Sequence, residues 1–407
     1  MTAPAGKRHA LRVNAPTEHR LRDGFPWVYH DGITEGGESA VSGDLGIVFD
    51  RKGRFLAAGL LDPDSPLRLR VLQASKPETI DGSWYSRRLS EALALRGPLL
   101  ERARRTNGFR LVNGESDRFP GLVADRYADT VVVKLYTTAW IPHLAVVLDA
   151  LVAVFPHERT VLRLNRSCIR SKPLLKGHFD GQVLRGPALS GPVVFQENGL
   201  RFEAEPVVGQ KTGFFLDQRD NRARVGDLSG GLDVLNVFSY TGGFSLYAAR
   251  GGARSVTSVD ISRPATDAAE RNFALNRTDR SVAACRHEGV CQDAFQVLEG
   301  YARARRQFDL VILDPPMFAQ SSAQVDQALQ AYARLTHAGL SVLRPGGILV
   351  QASCSNRVSP GDFFRCIHHA ADQAGRPLTE IERTGHALDH PVTFPDGDYL
   401  KCLFARA

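Results

Sequence analysis

Four strand-like runs in the second half of the chain end on residues able to do chemistry. The run GGILVQASCSNRV, Gly346 to Val358, places Cys354 between two serines where a strand would stop. A thiol there reads either as a small buried hydrophobe or as a nucleophile at the carboxyl edge of a sheet. The run FDLVILDPPMF ends on Asp314, followed by Pro315 and Pro316. Prolines donate no backbone hydrogen bond and are stiff. The pair makes a rigid lip whose carbonyls can face a planar base, while Asp314 can meet an amino or ring nitrogen. An ordinary strand stop rarely needs an acid and two prolines in succession. SVTSVD ends on Asp260, placed to accept hydrogen bonds from ribose hydroxyls. CQDAF carries Asp293, which could accept from an adenine amino group or cap a helix beginning at Ala294.

These ends need a frame. In LNVFSYTGGFSLYAA a strand over Val234–Phe238 runs into a turn through Gly242 and Gly243 and then a helix. Glycines let backbone approach a ligand closely. The spacing departs from the dinucleotide pattern G-x-G-x-x-G, so a plain strand-to-helix turn and a pocket for a phosphate-free cofactor both fit. From about Gly209 short apolar strands alternate with helices such as Pro264–Asn276 and Gln324–Leu343, and YLKCLFA closes the region as a strand. This rhythm is that of an α/β doubly wound sheet with ligands at the carboxyl ends of its strands.

The front of the chain differs. To about Ser75, alternating short strands around turns such as RKGR suggest a small β-barrel without helix. A helix near Ser83–Arg105, a hairpin turning at DRYADT, a helix over Pro142–Val154, a strand TVLRLN and a hairpin VVFQENGLRFEAEP follow, which reads as α+β. The domains expected are 1–76, 77–190 and 191–407.

The 407 residues exceed one ordinary core. At 43% hydrophobic and 23% charged, with no run long enough to span a bilayer, the composition excludes membrane and disordered classes. MTAPAGKRHALRVN has no apolar core of the signal-peptide type, so a cytoplasmic protein is expected. The six cysteines show no metal-ligand spacing, and no metal is expected. The charge of +7, from 51 Lys plus Arg against 44 Asp plus Glu, fits a nucleic-acid partner or simply an arginine-rich genome.

Taken together, FSYTGGFSLYAA, DPPMF and SCS resemble a class I S-adenosylmethionine-dependent methyltransferase. The whole chain is similar to the ribosomal RNA large-subunit methyltransferase I family. GFPWVYHDGI and GDLGIVFDRKGRFLAAGLLDPDSPLRLRVL match its PUA part, and GQKTGFFLDQRDNR and DHPVTFPDGDYLK follow in the expected order. The resemblance implies a PUA-like domain, a middle α+β domain and a methyltransferase domain. It implies methyl transfer to C5 of a cytosine in 23S rRNA, with Cys354 as nucleophile and Asp314 activating the base at N3. Thiolate addition at C6 makes C5 nucleophilic; loss of the C5 proton and elimination of the thiolate restore the ring. Arg357 could favour the thiolate. The cofactor, S-adenosyl-L-methionine, would be held by Phe238, Ser239, Tyr240, Thr241, Gly242, Gly243, Asp260, Ile261, Asp293 and Ala294, with Gln218 and Arg219, while Pro315 and Pro316 face the substrate. Lys211 and Thr212 in GQKTG could line the cofactor or substrate cleft, or form a polar loop.

LDPPMF lacks the second cysteine that some RNA cytosine-C5 enzymes use for release. Met317 stands where relatives often carry a basic residue. The remaining cysteines read as structural. RNA is the expected partner, with no membrane and a homodimer left open. Arg20, Arg22, Phe25 and Trp27 could supply phosphate and stacking contacts, or form barrel core. Two other readings stand beside this one: a guanine N-methyltransferase, which needs the acid and prolines but no cysteine, and an inactive RNA-binding assembly factor.

Overall fold

The structure is a computed structural model that describes residues 6–101, 105–319 and 321–407. The parts of the MTAPAGKRHALRVN stretch and of the expected Ser83–Arg105 helix that fall on 1–5 and 102–104 lie outside the described residues. Two compact units emerge: Met1–Gln196 with Ala204–Phe214 and Asp389–Pro395, and Glu197–Glu203 with Phe215–Leu388 and Asp396–Ala407.

The first unit holds two sheets. A mixed six-stranded sheet runs in the order Trp27–Tyr29, Leu67–Ala74, Phe55–Leu61, Leu45–Phe49, Arg8–Val13 and Ile33–Glu35. The turn at RKGR is present, with Gly53 at φ +75° and Asp50 accepting the backbone N–H groups of Lys52 and Arg54. Against expectation the region contains a helix, Ala15–Arg22. Asn14 accepts the N–H of Thr17 at 3.0 Å, and Pro16 sits in the first turn, where its missing donor costs nothing. A five-stranded sheet follows in the order Val183–Arg185, Arg159–Leu164, Thr130–Leu135, Leu122–Tyr127 and Gly108–Asn113. The buried rings of Trp84, Tyr85, Phe119 and Trp140 pack beneath it. The expected long helix stops at Leu95, and a short one covers Gly97–Glu101. Arg96 at the break is buried and forms a bidentate ion pair with Asp117 at 2.6 and 2.9 Å. The expected Pro142–Val154 helix begins at Leu144, after a 3-10 segment.

The second unit is built on a seven-stranded sheet. Its strands are β1 Asp233–Val237, β2 Ser255–Asp260, β3 Arg286–Cys291, β4 Phe308–Leu313, β5 Leu343–Ser353, β6 Thr379–Thr384 and β7 Lys401–Arg406. The order is β3-β2-β1-β4-β5-β7-β6. The first five are parallel, and β7 is antiparallel to both β5 and β6. Helices α1 Arg219–Leu228, α2 Gly243–Arg250, α3 Arg263–Leu275, α4 Arg280–Ala284, α5 Ala294–Arg303, α6 Val325–Ser341 and α7 Pro360–Gln373 accompany them. The central parallel strands are near-continuous apolar runs, as strands covered on both faces must be. Several boundaries differ from expectation, two of them with a clear physical cause. Strand β1 stops at Val237 because Phe238 turns left-handed, and α6 ends at Ser341 because Leu343 already pairs with Phe308.

Candidate active site

The order reverses between β1 and β4, so a crevice opens at their carboxyl ends. The turn after β1 is unusual backbone. Phe238 and Tyr240 have φ of +62° and +48°, and Gly242 has +76°. Left-handed conformation at two bulky residues costs about 1–3 kcal/mol each, so the surroundings must enforce it. They do. Ser239 N–H donates to Val259 O at 2.9 Å, Tyr240 N–H donates to Asp260 Oδ2 at 2.8 Å, and the Tyr240 ring meets Phe215 edge-on at 5.0 Å. Gly242 is required twice, by its φ and because a Cβ would lie 2.9 Å from that of Ala269.

Asp260 thus carries a duty that its sequence position did not disclose. One oxygen holds Tyr240, and the other accepts the N–H of Ser262, which caps α3. A carboxylate offers about four lone-pair sites, so both oxygens can still accept ribose hydroxyls. Ile261 beside it is 73% exposed, an apolar face for a flat ring. Asp293 caps α5, accepting the N–H groups of Phe295 and Gln296 through Oδ1, while Ala294 is buried as that helix begins. The hydroxyls of Ser239 and Thr241 are buried and have no hydrogen-bond partner among the described residues. Unpaired buried hydroxyls are costly, so both keep capacity for a polar ligand.

Asp314 and Cys354 lie just past the carboxyl ends of adjacent strands, β4 and β5, which pair Leu313 with Gln351. Burial first, and then the nearby Cys354 and Asp314, raise the pKa of the Tyr332 hydroxyl on α6. Pro315 is buried, and Pro316 and Met317 are exposed. Gln218 Nε2 donates to both oxygens of Asp314 at 3.1 Å. Gln218 Oε1 accepts from Asn221 Nδ2 at 2.6 Å, and Asn221 Oδ1 accepts from Thr384 Oγ1 at 2.6 Å. The chain is oriented. Reversing the Gln218 amide would set its oxygen against a carboxylate.

The loop that displays Cys354 is tied down from below. Ser353 Oγ and the Tyr332 hydroxyl are 2.7 Å apart. Lys401, 2% exposed on β7, donates to the carbonyls of Ser355 and, at 2.9 Å, Val358. Burial pulls the Lys401 pKa down to about 8, against the opposing pull of Asp398 and Cys354. Arg357, the cation expected to favour a thiolate, is exposed. Burial pushes the thiols of Cys168 and Cys285 up to about 11 and raises those of Cys366 and Cys402.

The structure gathers the turn residues 238–243, Asp260, Ile261, Asp293 and Ala294 along β1 to α5, and Asp314, Pro315, Pro316 and Cys354 at β4 and β5. Gln218 meets Asp314. Arg219 is buried and donates to Asp220 at 3.2 Å. Lys211 and Thr212 belong to the first unit, where Thr212 donates to Asp125 at 2.5 Å and lies 2.9 Å from the Tyr127 hydroxyl. The DHPVTFP stretch likewise belongs to the first unit, where Phe394 packs edge-on against Trp27 at 5.1 Å. Trp27 is half-buried and donates to Glu115. Asn221, Thr384, Tyr332 and Lys401 were not singled out from sequence. The one available signal was Lys401, a lysine inside the apolar strand YLKCLFA.

Strand order and strand-end acids together define a class I methyltransferase. A family model for S-adenosylmethionine-dependent methyltransferases matches residues 182–406, and one for PUA-like domains matches residues 11–74. A Deinococcus radiodurans protein named ribosomal RNA large subunit methyltransferase is 49% identical over 411 residues, covering 100% of both chains. A Pseudoalteromonas translucida protein named ribosomal RNA large subunit methyltransferase I is 36% identical, covering 98% of this chain and 99% of that one. A solved chain described as a methyltransferase in complex with S-adenosylhomocysteine shares the fold, with a TM-score of 0.82, 20% identity, and coverage of 98% and 100%. The chain belongs to the ribosomal RNA large subunit methyltransferase I family, whose members use S-adenosylmethionine.

The residues present fit that cofactor. The orphaned Ser239 and Thr241 hydroxyls, the acceptor oxygens of Asp260 and the exposed Ile261 offer polar, ribose and ring contacts. Among the described residues no group could hold a metal, and no helix is long and apolar enough to cross a membrane.

Proposed function

We propose that this protein methylates C5 of a cytosine in large-subunit ribosomal RNA, with Cys354 as covalent nucleophile. The observation that carries the reading is the pairing at neighbouring strand ends of a half-buried thiol, backed by a buried ammonium, with an acid held by an amide. The RNA target rests on the names of the full-length relatives.

Residues Phe238–Gly243, Asp260, Ile261, Asp293 and Ala294 hold S-adenosylmethionine, which supplies an electrophilic methyl group. Asp314 and the Pro315–Pro316 lip hold the cytosine edge, and Gln218 sets the orientation of the Asp314 carboxyl. Lys401 favours the Cys354 thiolate, since a neighbouring cation lowers a thiol's pKa. The Cys354 sulfur forms a bond to C6, and the displaced electron pair makes C5 the nucleophile. Once C5 has taken the methyl group from the sulfonium sulfur, leaving S-adenosylhomocysteine, a base removes the C5 proton and the C6–S bond to Cys354 breaks, returning the thiolate.

The test is nucleoside mass spectrometry of large-subunit rRNA treated with purified enzyme and S-adenosylmethionine. New 5-methylcytidine is expected. An N-methylguanosine product would overturn the reading, and no methyl transfer at all would favour an assembly factor.

A further inference from the structure

From Arg159 to Phe179 the chain has no Asp or Glu, yet it carries Arg159, Arg163, Arg166, Arg170, Lys172 and Lys176. The first two are engaged. Arg159 Nε donates to Pro187 O at 2.6 Å, and Arg163 pairs with Asp180 at 2.9 Å. The other four are exposed, and the described residues offer none of them an ion pair. Elsewhere the unit pairs arginine readily, as at Arg96–Asp117 and Arg110–Asp125. An acid-free cluster carries the cost of self-repulsion unless a polyanion meets it.

The backbone beneath these cations is fixed. A short helix, Arg166–Arg170, is capped by Asn165, which accepts the N–H of Cys168 at 2.9 Å. A 3-10 turn, Lys172–Leu175, follows, and the buried Cys168 and Leu175 pin the two pieces to the core. A pinned backbone loses little entropy when it binds. Aromatic surface accompanies the charge. Phe179 is 61% exposed. Tyr136, 42% exposed, accepts from Asn165 Nδ2 through its carbonyl and lies under the Lys134 ammonium at 5.4 Å. Cations interleaved with exposed rings suit a single-stranded or looped nucleic acid, with phosphates on the cations and bases on the rings.

We propose that residues 165–179 form an RNA-binding surface of the first unit, outside its PUA-like domain. Arg166, Arg170, Lys172 and Lys176 contact phosphates, and Phe179 stacks on an unpaired base. The proposal rests on the ribosomal RNA reading above and adds where the first unit grips that RNA.

The experiment measures affinity for a 23S rRNA fragment that the wild-type enzyme methylates, across a series of salt concentrations. One variant changes Arg166, Arg170, Lys172 and Lys176 to Gln. A charge-matched control changes Arg277, Arg280, Arg303 and Arg305, all exposed on the second unit. Each lost phosphate contact removes about 0.7 from the slope of log affinity against log salt on single strands. The first variant is therefore expected to flatten that slope by about 3 and to weaken low-salt binding at least about tenfold. Its S-adenosylmethionine affinity should stay at the wild-type value, which reports an intact fold. Phe179→Ala is expected to weaken binding about fivefold or more with the slope unchanged, because stacking releases no counterions. An unchanged slope in the quadruple variant, or an equal change in the control, would overturn the surface. A wild-type enzyme that neither binds nor methylates ribosomal RNA would overturn the functional reading as well.

Discussion

The two ends of the crevice, proposed above to take cofactor and cytosine, are built differently. At the cofactor end, backbone does the shaping: three left-handed residues within five positions, locked by N–H groups that reach Val259 and Asp260. The side chains there, Ser239 and Thr241, keep unspent hydrogen-bonding capacity. At the reaction end the backbone is ordinary and side chains do the shaping. Gln218, Asn221 and Thr384 orient Asp314, while Lys401 and Tyr332 underpin the Cys354 loop. A cofactor offering the same atoms at every turnover suits a fixed mould. A base that must enter, react and leave suits groups adjustable by proton and hydrogen-bond exchange.

The sharpest way to separate the two ends is Gln218→Leu. It strips Asp314 of its amide donor without touching the β1 turn. Loss of orientation at a reacting group costs about 10- to 100-fold in kcat. Affinity for S-adenosylmethionine by calorimetry should stay within about twofold, less than the roughly 1 kcal/mol a lost hydrogen bond typically costs. A large loss of cofactor affinity with kcat preserved would put Gln218 at the cofactor end and break the contrast.

Lys401→Met should give a smaller effect, visible in pH. Alkylation of the Cys354 peptide by iodoacetamide, followed by mass spectrometry, reports the thiolate. With the ammonium removed, the midpoint should move up by about one pH unit, and an unchanged midpoint in a folded variant would contradict the role given to Lys401. The same residue shapes stability. Its folded pKa of about 8 lies below the ordinary lysine value of 10.5. Between those values the unfolded chain binds a proton that the folded protein has released, so this group makes stability rise with pH there. Below pH 8 both states are protonated, and the full cost of burying the charge remains. Denaturant melts of wild type and Lys401→Met from pH 7 to 10.5 should converge as pH rises.

The local elements of the proposed cofactor end were legible in sequence and the partners at the proposed reaction end only in part, and the reason is distance along the chain. Strand, strained turn and helix around Phe238–Gly243 are consecutive, and Asp260 is 20 positions from the Tyr240 that it holds. Gln218 and Asp314 are 96 positions apart, and Asn221 and Thr384 are 163 apart. No local pattern announces such partners. Cys354 and Asp314 were visible because apolar strands stop on them, whereas the cation behind Cys354 comes from the antiparallel β7 and not from neighbouring Arg357. In the first unit the alternating strands were readable, but the helix Ala15–Arg22 was hidden by its proline, a residue that belongs in a first turn.

The measurement closest to the central claim is covalent trapping. Enzyme, S-adenosylmethionine and a large-subunit rRNA fragment carrying 5-fluorocytosine are combined and run on a denaturing gel. Fluorine at C5 blocks the loss that would release the sulfur. The expected result is a band of shifted mass that Cys354→Ala abolishes, while that variant still binds S-adenosylmethionine. Methyl transfer to unmodified RNA with no trapped band, or a band that survives Cys354→Ala, would contradict a Cys354 adduct.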